Sequence, residues 1–270
     1  ISVDNIWTYS AANSGSVDIM GQSAQINVID TTATAGNAGD VNITLGGTGN
    51  TNIGGINTYT TAAGANAGNI TITATNNNVT LGGLDTSSMS GTSGDIQISA
   101  TDIGLSGPVY TNGGSITLIS NSGDISIGDD IYTDNGVLQI TGANTITQAT
   151  VTTIDTGAGN ITLSASGDIT FDYITTTGEA LISSSSGSIL QGEGDAGSDL
   201  TANKITLTAG TNIYLDTSSS DITGNADGNI TIKNIAVGGT AVLNSNVSGD
   251  IWFMQEVIGN IDITASTNDG

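Results

Sequence analysis

Residues 159–178 read GNITLSASGDITFDYITTTG, and the stretch repeats one pattern three times. Gly159-Asn160-Ile161-Thr162-Leu163 alternates polar and apolar residues. Gly167-Asp168-Ile169-Thr170-Phe171 does the same after a Ser-Ala-Ser gap, and Ile174-Thr175-Thr176 closes the set. Period-two alternation marks a strand with one buried face, and Gly beside Asn or Asp marks a turn. Three strands this short cannot bury their apolar faces alone, so the stretch needs a neighbour of the same kind.

The chain supplies that neighbour many times. The first phrase recurs as GDVNI at Gly39, GNITI at Gly68, GDIQI at Gly94, GSITL at Gly114 and GNIDI at Gly259. The second ends at Leu81 and at Ile127. The third recurs as Ile56-Asn57-Thr58, Leu84-Asp85-Thr86, Val109-Tyr110-Thr111, Ile131-Tyr132-Thr133 and Val151-Thr152-Thr153. A repeat of about 19–29 residues holding three strands is one coil of a parallel β-helix, in which stacked coils share a continuous core. The expected fold is all-β: one solenoid domain over 1–270, three short strands per coil, about 10–12 coils and no capping helix. Val41, Ile43, Ile70, Ile72, Ile96, Ile98, Ile161 and Leu163 are expected to point inward. Gly, Asn and Asp fall at the corners, where the chain turns sharply or takes positive φ. The pattern weakens at Gly192–Asn203 and Gly228–Gly239, read here as a loop insertion and an irregular coil.

The third phrase ends on Thr, and the expected inward Thr column is Thr8, Thr58, Thr86, Thr111, Thr133, Thr153 and Thr176. Its role is structural, with each hydroxyl satisfied inside a corner. The opening ISVDNIWT is a second and a third phrase, whereas the closing GNIDITASTNDG is a first phrase. Read end to start they complete one coil. The expectation is a unit of a longer repeat chain or filament, joined head to tail through Ile1, Val3, Ile6, Ile261 and Ile263. Uncapped solenoid ends present unpaired backbone rows, and open addition gives a filament.

Composition narrows the partners. The formal net charge is -23, Lys204 and Lys233 are the only cationic side chains, and His and Cys are absent. Nucleic-acid binding needs clustered cations and is excluded, and an anionic membrane surface repels this chain. No run approaches the length of a membrane span, so no membrane insertion is expected. Two tryptic sites suit an external fibre.

Catalysis is not expected. Asp129-Asp130 has the look of a glycoside-hydrolase carboxylate pair, but no His or Arg exists to complete such a site. The expectation is no cofactor, with calcium the single ion considered, because carboxylates and carbonyls suit it. The candidates are Asp129, Asp130, Asp195 and Asp199, together with the Asp221 to Asp227 loop. Outward Thr71-x-Thr73, with Asn42-x-Thr44, Gln97-x-Ser99 and Thr162-x-Ser164, gives an interrupted form of the ranks found on ice-binding solenoids. Tyr110 and Tyr132 fall at equivalent outward positions and are candidates for a sugar contact.

The G-[ND]-I-x-[IL] phrase at this interval resembles the filamentous-haemagglutinin-like repeats of large secreted bacterial adhesins. The likeness covers most of the chain and implies a right-handed parallel β-helix, export, and a fibre at the cell surface or in the extracellular matrix. The functional expectation is a structural filament or adhesin segment whose partner is itself, and beyond that a cell-surface or matrix polysaccharide. A ligand-binding solenoid for ice or polysaccharide is the alternative, and a polysaccharide-degrading enzyme the second alternative.

Overall fold

The computed structural model describes residues 1–192, 198–236, 238–247, 249–256 and 261–267. These residues form a right-handed parallel β-solenoid of about twelve coils, with no helix among them. The first phrases stack into a single twelve-stranded sheet. Its strands, numbered here as rungs 1 to 12, are Val17–Gly21, Val41–Leu45, Ile70–Ala74, Ile96–Ala100, Ile116–Ser120, Leu138–Gly142, Ile161–Ala165, Glu179–Ser184, Lys204–Ala209, Asp221–Ala226, Gly239–Ser245 and Ile261–Thr267. Every adjacent pair is parallel. One repeat along this sheet is as short as 17 residues, from Ile205 to Ile222, and as long as 29, from Val41 to Ile70.

The second and third phrases form the opposite, seventeen-stranded sheet. In the middle coils they are separate strands, such as Ile103–Leu105 and Val109–Tyr110, or Ile125–Ile127 and Ile131–Tyr132. Toward both ends they fuse into one longer strand, as in Gly49–Asn57, Asn77–Asp85 and Ile213–Ser218. Pro108 marks the break in one of these coils, just before Val109–Tyr110. It has no N–H to give to the ladder, though its carbonyl still accepts the Leu84 N–H at 2.9 Å.

Between the sheets lies a core of aliphatic side chains stacked like on like. Ile70, Ile96, Ile116, Leu138 and Ile161 occupy one column and all are fully buried. Each such side chain contributes about 1.5–3 kcal/mol by leaving water. Phe171 is the one large aromatic among the fully buried residues described, and it ends a second phrase in the same core.

Two register findings correct the sequence reading. The third phrase of the seventh coil is Ile154-Asp155-Thr156, because Ile154 pairs with Ile131 and Asp155 with Tyr132. Thr153 therefore lies outside the inward column. The segment Ala149–Thr152 bulges outward, with Val151 at φ 66° and 86% exposed, and carries the chain two to three residues further before pairing resumes. Likewise the GNITI phrase at Gly228 belongs to the opposite sheet: Ile230–Asn234 pairs with Ile213–Ser218, so the coil there is regular.

Candidate functional site

The most repeated polar element is a corner that joins the third phrase to the next first phrase. Thr8, Thr31, Thr58, Thr86, Thr111, Thr133 and Thr156 each donate their hydroxyl to the carbonyl of the glycine opening the next first phrase, at 2.5 to 2.7 Å. Thr176 donates to Gly159 O in the coil below, at 2.7 Å. Thr31 and Thr156 are members the sequence reading missed. Ile29-Asp30-Thr31 already fits the aliphatic-x-Thr pattern, whereas Thr156 is hidden behind the bulge. The bond closes over three residues from Thr111 to Gly114 and over ten from Thr58 to Gly68.

The acceptor glycines are themselves stacked. A Cβ on Gly136 would fall inside the carbonyl oxygen of Gly114, and one on Gly159 inside that of Gly136. None of these column glycines has a positive φ, so close backbone approach is what demands glycine here. The residue after several of these glycines builds a second ladder. The Asp40, Asn69 and Asp95 side chains accept the backbone N–H of Asn69, Asp95 and Ser115, one coil on, at 2.7 to 2.9 Å. Left-handed φ occurs elsewhere, at Asn112, Asp134 and Asn135 among others.

The carboxylates proposed from sequence are engaged in turns. Asp129 accepts the Asp130 N–H at 2.8 Å. Asp130 accepts the Thr153 N–H at 2.7 Å and the Tyr132 hydroxyl at 3.2 Å. Burial, and then the Asp130 charge, raises the Tyr132 phenol above its ordinary pKa. Asp199 is buried, and its carboxylate accepts the Asp216 N–H at 3.3 Å. Asp195 lies outside the described residues. Among the described residues, no three carboxylates gather closely enough to share an ion. Asp124 is the most heavily solvated by protein: it accepts from the Thr145 hydroxyl at 2.6 Å, the Thr145 N–H at 3.0 Å and the Asn144 amide at 2.8 Å. Those bonds, the hydroxyl first, lower its pKa.

The Tyr110 and Tyr132 rings stack, with centroids 5.6 Å apart and planes 4° from parallel. The Tyr110 side of this stack borders a groove on the seventeen-stranded sheet. Three adjoining hollows of about 290, 460 and 190 Å³ run from Asn78 and Asp102, over Gly82 and Gly83, to Tyr110. Its floor lacks side chains because a Cβ on Gly82 would collide with Gly54 O.

The two ends of the ladder are the remaining candidate. Among the described residues, Ser2–Trp7 pairs only with Gln25–Asp30, setting Val3 on Ile26 and Ile6 on Ile29. Ile1 and Val3 are half-exposed, while Ile6 packs against the core. At the other end Ile251 and Phe253 pack partly on the core, and Ile263 lies beyond Ala241, half-exposed. The Ile261 backbone pairs with Gly239. No protein-family model, no curated protein and no solved structure matches this chain.

Proposed function

We propose that this chain is a structural segment of an extracellular or cell-surface filament or adhesin, of the filamentous-haemagglutinin-like kind, extended along its axis by more coils of the same design. One observation carries the reading: among the described residues the outermost strands of the ladder, Ser2–Trp7 and Ile261–Thr267, each pair on one side, with Ile1, Val3 and Ile263 half-exposed. The first coil of a second copy, or a further coil of the same chain, meets the same requirement. The function in this reading is mechanical. Hydrogen bonds run along the fibre axis in every ladder, the acidic exterior keeps fibres hydrated and collects divalent cations diffusely, and no catalytic step is assigned.

Electron micrographs of concentrated protein test this. Single particles about 53 Å long are expected to join into rods of that length's multiples. Val3→Asp puts a charge in the joint and is expected to leave single particles. Wild-type protein that never joins at any concentration overturns the reading.

The groove beside Tyr110 supports a second reading, a site for neutral polysaccharide, since amides, carboxylates and an aromatic edge are the groups that bind sugar hydroxyls and ring faces. Tyr110→Ala is expected to abolish retention on an insoluble neutral glycan. Equal retention of wild type and variant removes that reading.

A further inference from the structure

The outward face of the twelve-stranded sheet has a strand-opening column that carries Glu179, Lys204, Asp221 and Asp262, and beside it two further side-chain columns. They run from Asn42 and Thr44 on rung 2 to Thr264 and Ser266 on rung 12, in unbroken register. Neither column holds a charged residue anywhere along those eleven rungs. In a chain with 25 acidic side chains that is a segregation of charge. The opposite sheet shows the contrast: its outward third-phrase column includes Asp30, Asp85 and Asp155. In the two uncharged columns hydroxyl and amide groups dominate, and three aliphatic residues interrupt them at even intervals: Ile119 on rung 5, Leu181 on rung 8 and Val242 on rung 11. Leu181 is 44% exposed.

We infer that this face pairs with the same face of a second copy, the two solenoids lying side by side and antiparallel. Three features select a second copy as the occupant. First, two copies at net charge -23 repel wherever carboxylates meet, and the two uncharged columns form a long strip on which they can touch with the carboxylates kept to one rim. Second, hydroxyls and amides are donors and acceptors at once, so the face complements itself. Third, a two-fold axis along the strands through rung 8 sets Leu181 against its own mate and brings the level of rung 5 opposite that of rung 11, where Ile119 and Val242 meet from neighbouring columns. Such an overlap covers nine rungs, about 43 Å by about 17 Å across the full strand width with the rim column included, or roughly 700 Å² per partner, near the usual size of a specific interface. The strand-opening column of the same sheet, with Asp95, Glu179, Asp221 and Asp262 against the single cation Lys204, forms the rim, so association strengthens as salt screens it.

This pairing doubles a particle's width and leaves its length alone, so it stands or falls separately from end-to-end joining. Sedimentation equilibrium at low and high salt is the test, on wild type, Leu181→Asp and a control on the opposite sheet, Thr80→Asp. The expected result is a wild-type dimer favoured by salt, a dissociation constant raised on the order of a hundredfold in Leu181→Asp, and no change in the control. Because the chain has no cysteine, Leu181→Cys supplies a second reading that needs no destabilising charge: mild oxidation is expected to yield a disulfide dimer, and Thr80→Cys is not. Wild type that remains single at every salt concentration, or Leu181→Cys that fails to cross-link, overturns the proposal. Ice shaping or neutral-glucan binding by such a single species would give the face to those occupants instead.

Discussion

The middle coils and the C-terminal coils solve the same problem differently. From rung 1 to rung 7 the corner is a single device, a Thr hydroxyl on a Gly carbonyl, with the next glycine pressed on the same oxygen in all but the last. Past rung 8 the device is gone. Ala202 and Ser219 occupy the column, and Lys204 and Asp221 open first strands with no glycine before them. Asn234 takes over the interior: its amide oxygen receives the Ser219 N–H at 3.1 Å and the Thr217 hydroxyl at 3.2 Å, while its nitrogen donates to Ser219 O at 3.0 Å and to Gln255 at 3.2 Å. The ion pairs of the described residues are also here, Lys233 with Glu256 at 3.1 Å and with Asp216 at 3.7 Å. Where coils repeat closely, one small unit serves every level. Where they do not, long side chains must be fitted individually.

The sharpest break between the two regions is expected from glycine. Gly136→Ala sets a methyl group against the backbone of the coil below and should cost about 3 kcal/mol or more. Gly224→Ala, in rung 10, crowds the end of the Leu243 side chain at 3.0 Å, which can swing aside, touches Ile213 and Ile232 at an ordinary 3.8 Å, and should cost about 1 kcal/mol or less. Denaturant midpoints followed with hydrogen exchange resolve both the size and the region affected. Equal costs would show that the glycine stack does not govern the middle coils.

The next contrast concerns polar groups. Asn234→Ala strands the buried Ser219 N–H and should cost about 2–3 kcal/mol, with faster exchange confined to rungs 9 to 12. Thr133→Val keeps the shape of the corner, loses one hydroxyl bond and should cost about 1 kcal/mol. A larger loss at Thr133 than at Asn234 would reverse the assignment of single-residue dependence to the C-terminal region.

The smallest effects separate the regions by pH. The Asp124 pKa is depressed in the folded state, so its contribution is present above the ordinary 3.8 and is lost as pH falls through the lower folded value. The Lys233 pKa is raised, chiefly by its bond to Glu256, so its contribution is present below the ordinary 10.5 and fades as pH rises through the higher folded value. Acid should first loosen the corner at Asp124 and alkali the turn at Lys233. Residue-resolved exchange at pH 3 and pH 11 checks the order, and the variants Asp124→Asn and Lys233→Met should each flatten one limb only.

Much of this architecture was legible before any coordinates, because period two and the glycine–Asx punctuation act locally. Val41, Ile70, Ile96 and Ile161 point inward as their phrases require. Thr153 was misassigned for a non-local reason: Val151-Thr152-Thr153 fits the third phrase in isolation, but pairing with Ile131 is decided by the coil below, which selects Ile154. The phrase at Gly228 misled in the same way, since its sheet is set by Ile213–Ser218. The close contact at Gly136 had a compositional signal, a glycine opening each first phrase up to rung 8, but its cause is a neighbour 22 residues back. The uncharged outer columns needed the complete register, because no single phrase shows what eleven of them leave out.

The Thr-to-Gly bond spans three residues in one coil and ten in another without changing length appreciably. A corner fastened at its two ends is indifferent to what hangs between them, and doubling such a loop costs only about 0.6 kcal/mol in chain entropy. That edge of the solenoid is therefore where foreign peptides can be grafted one above another at a fixed pitch. It is also where natural variation can accumulate without the scaffold registering it.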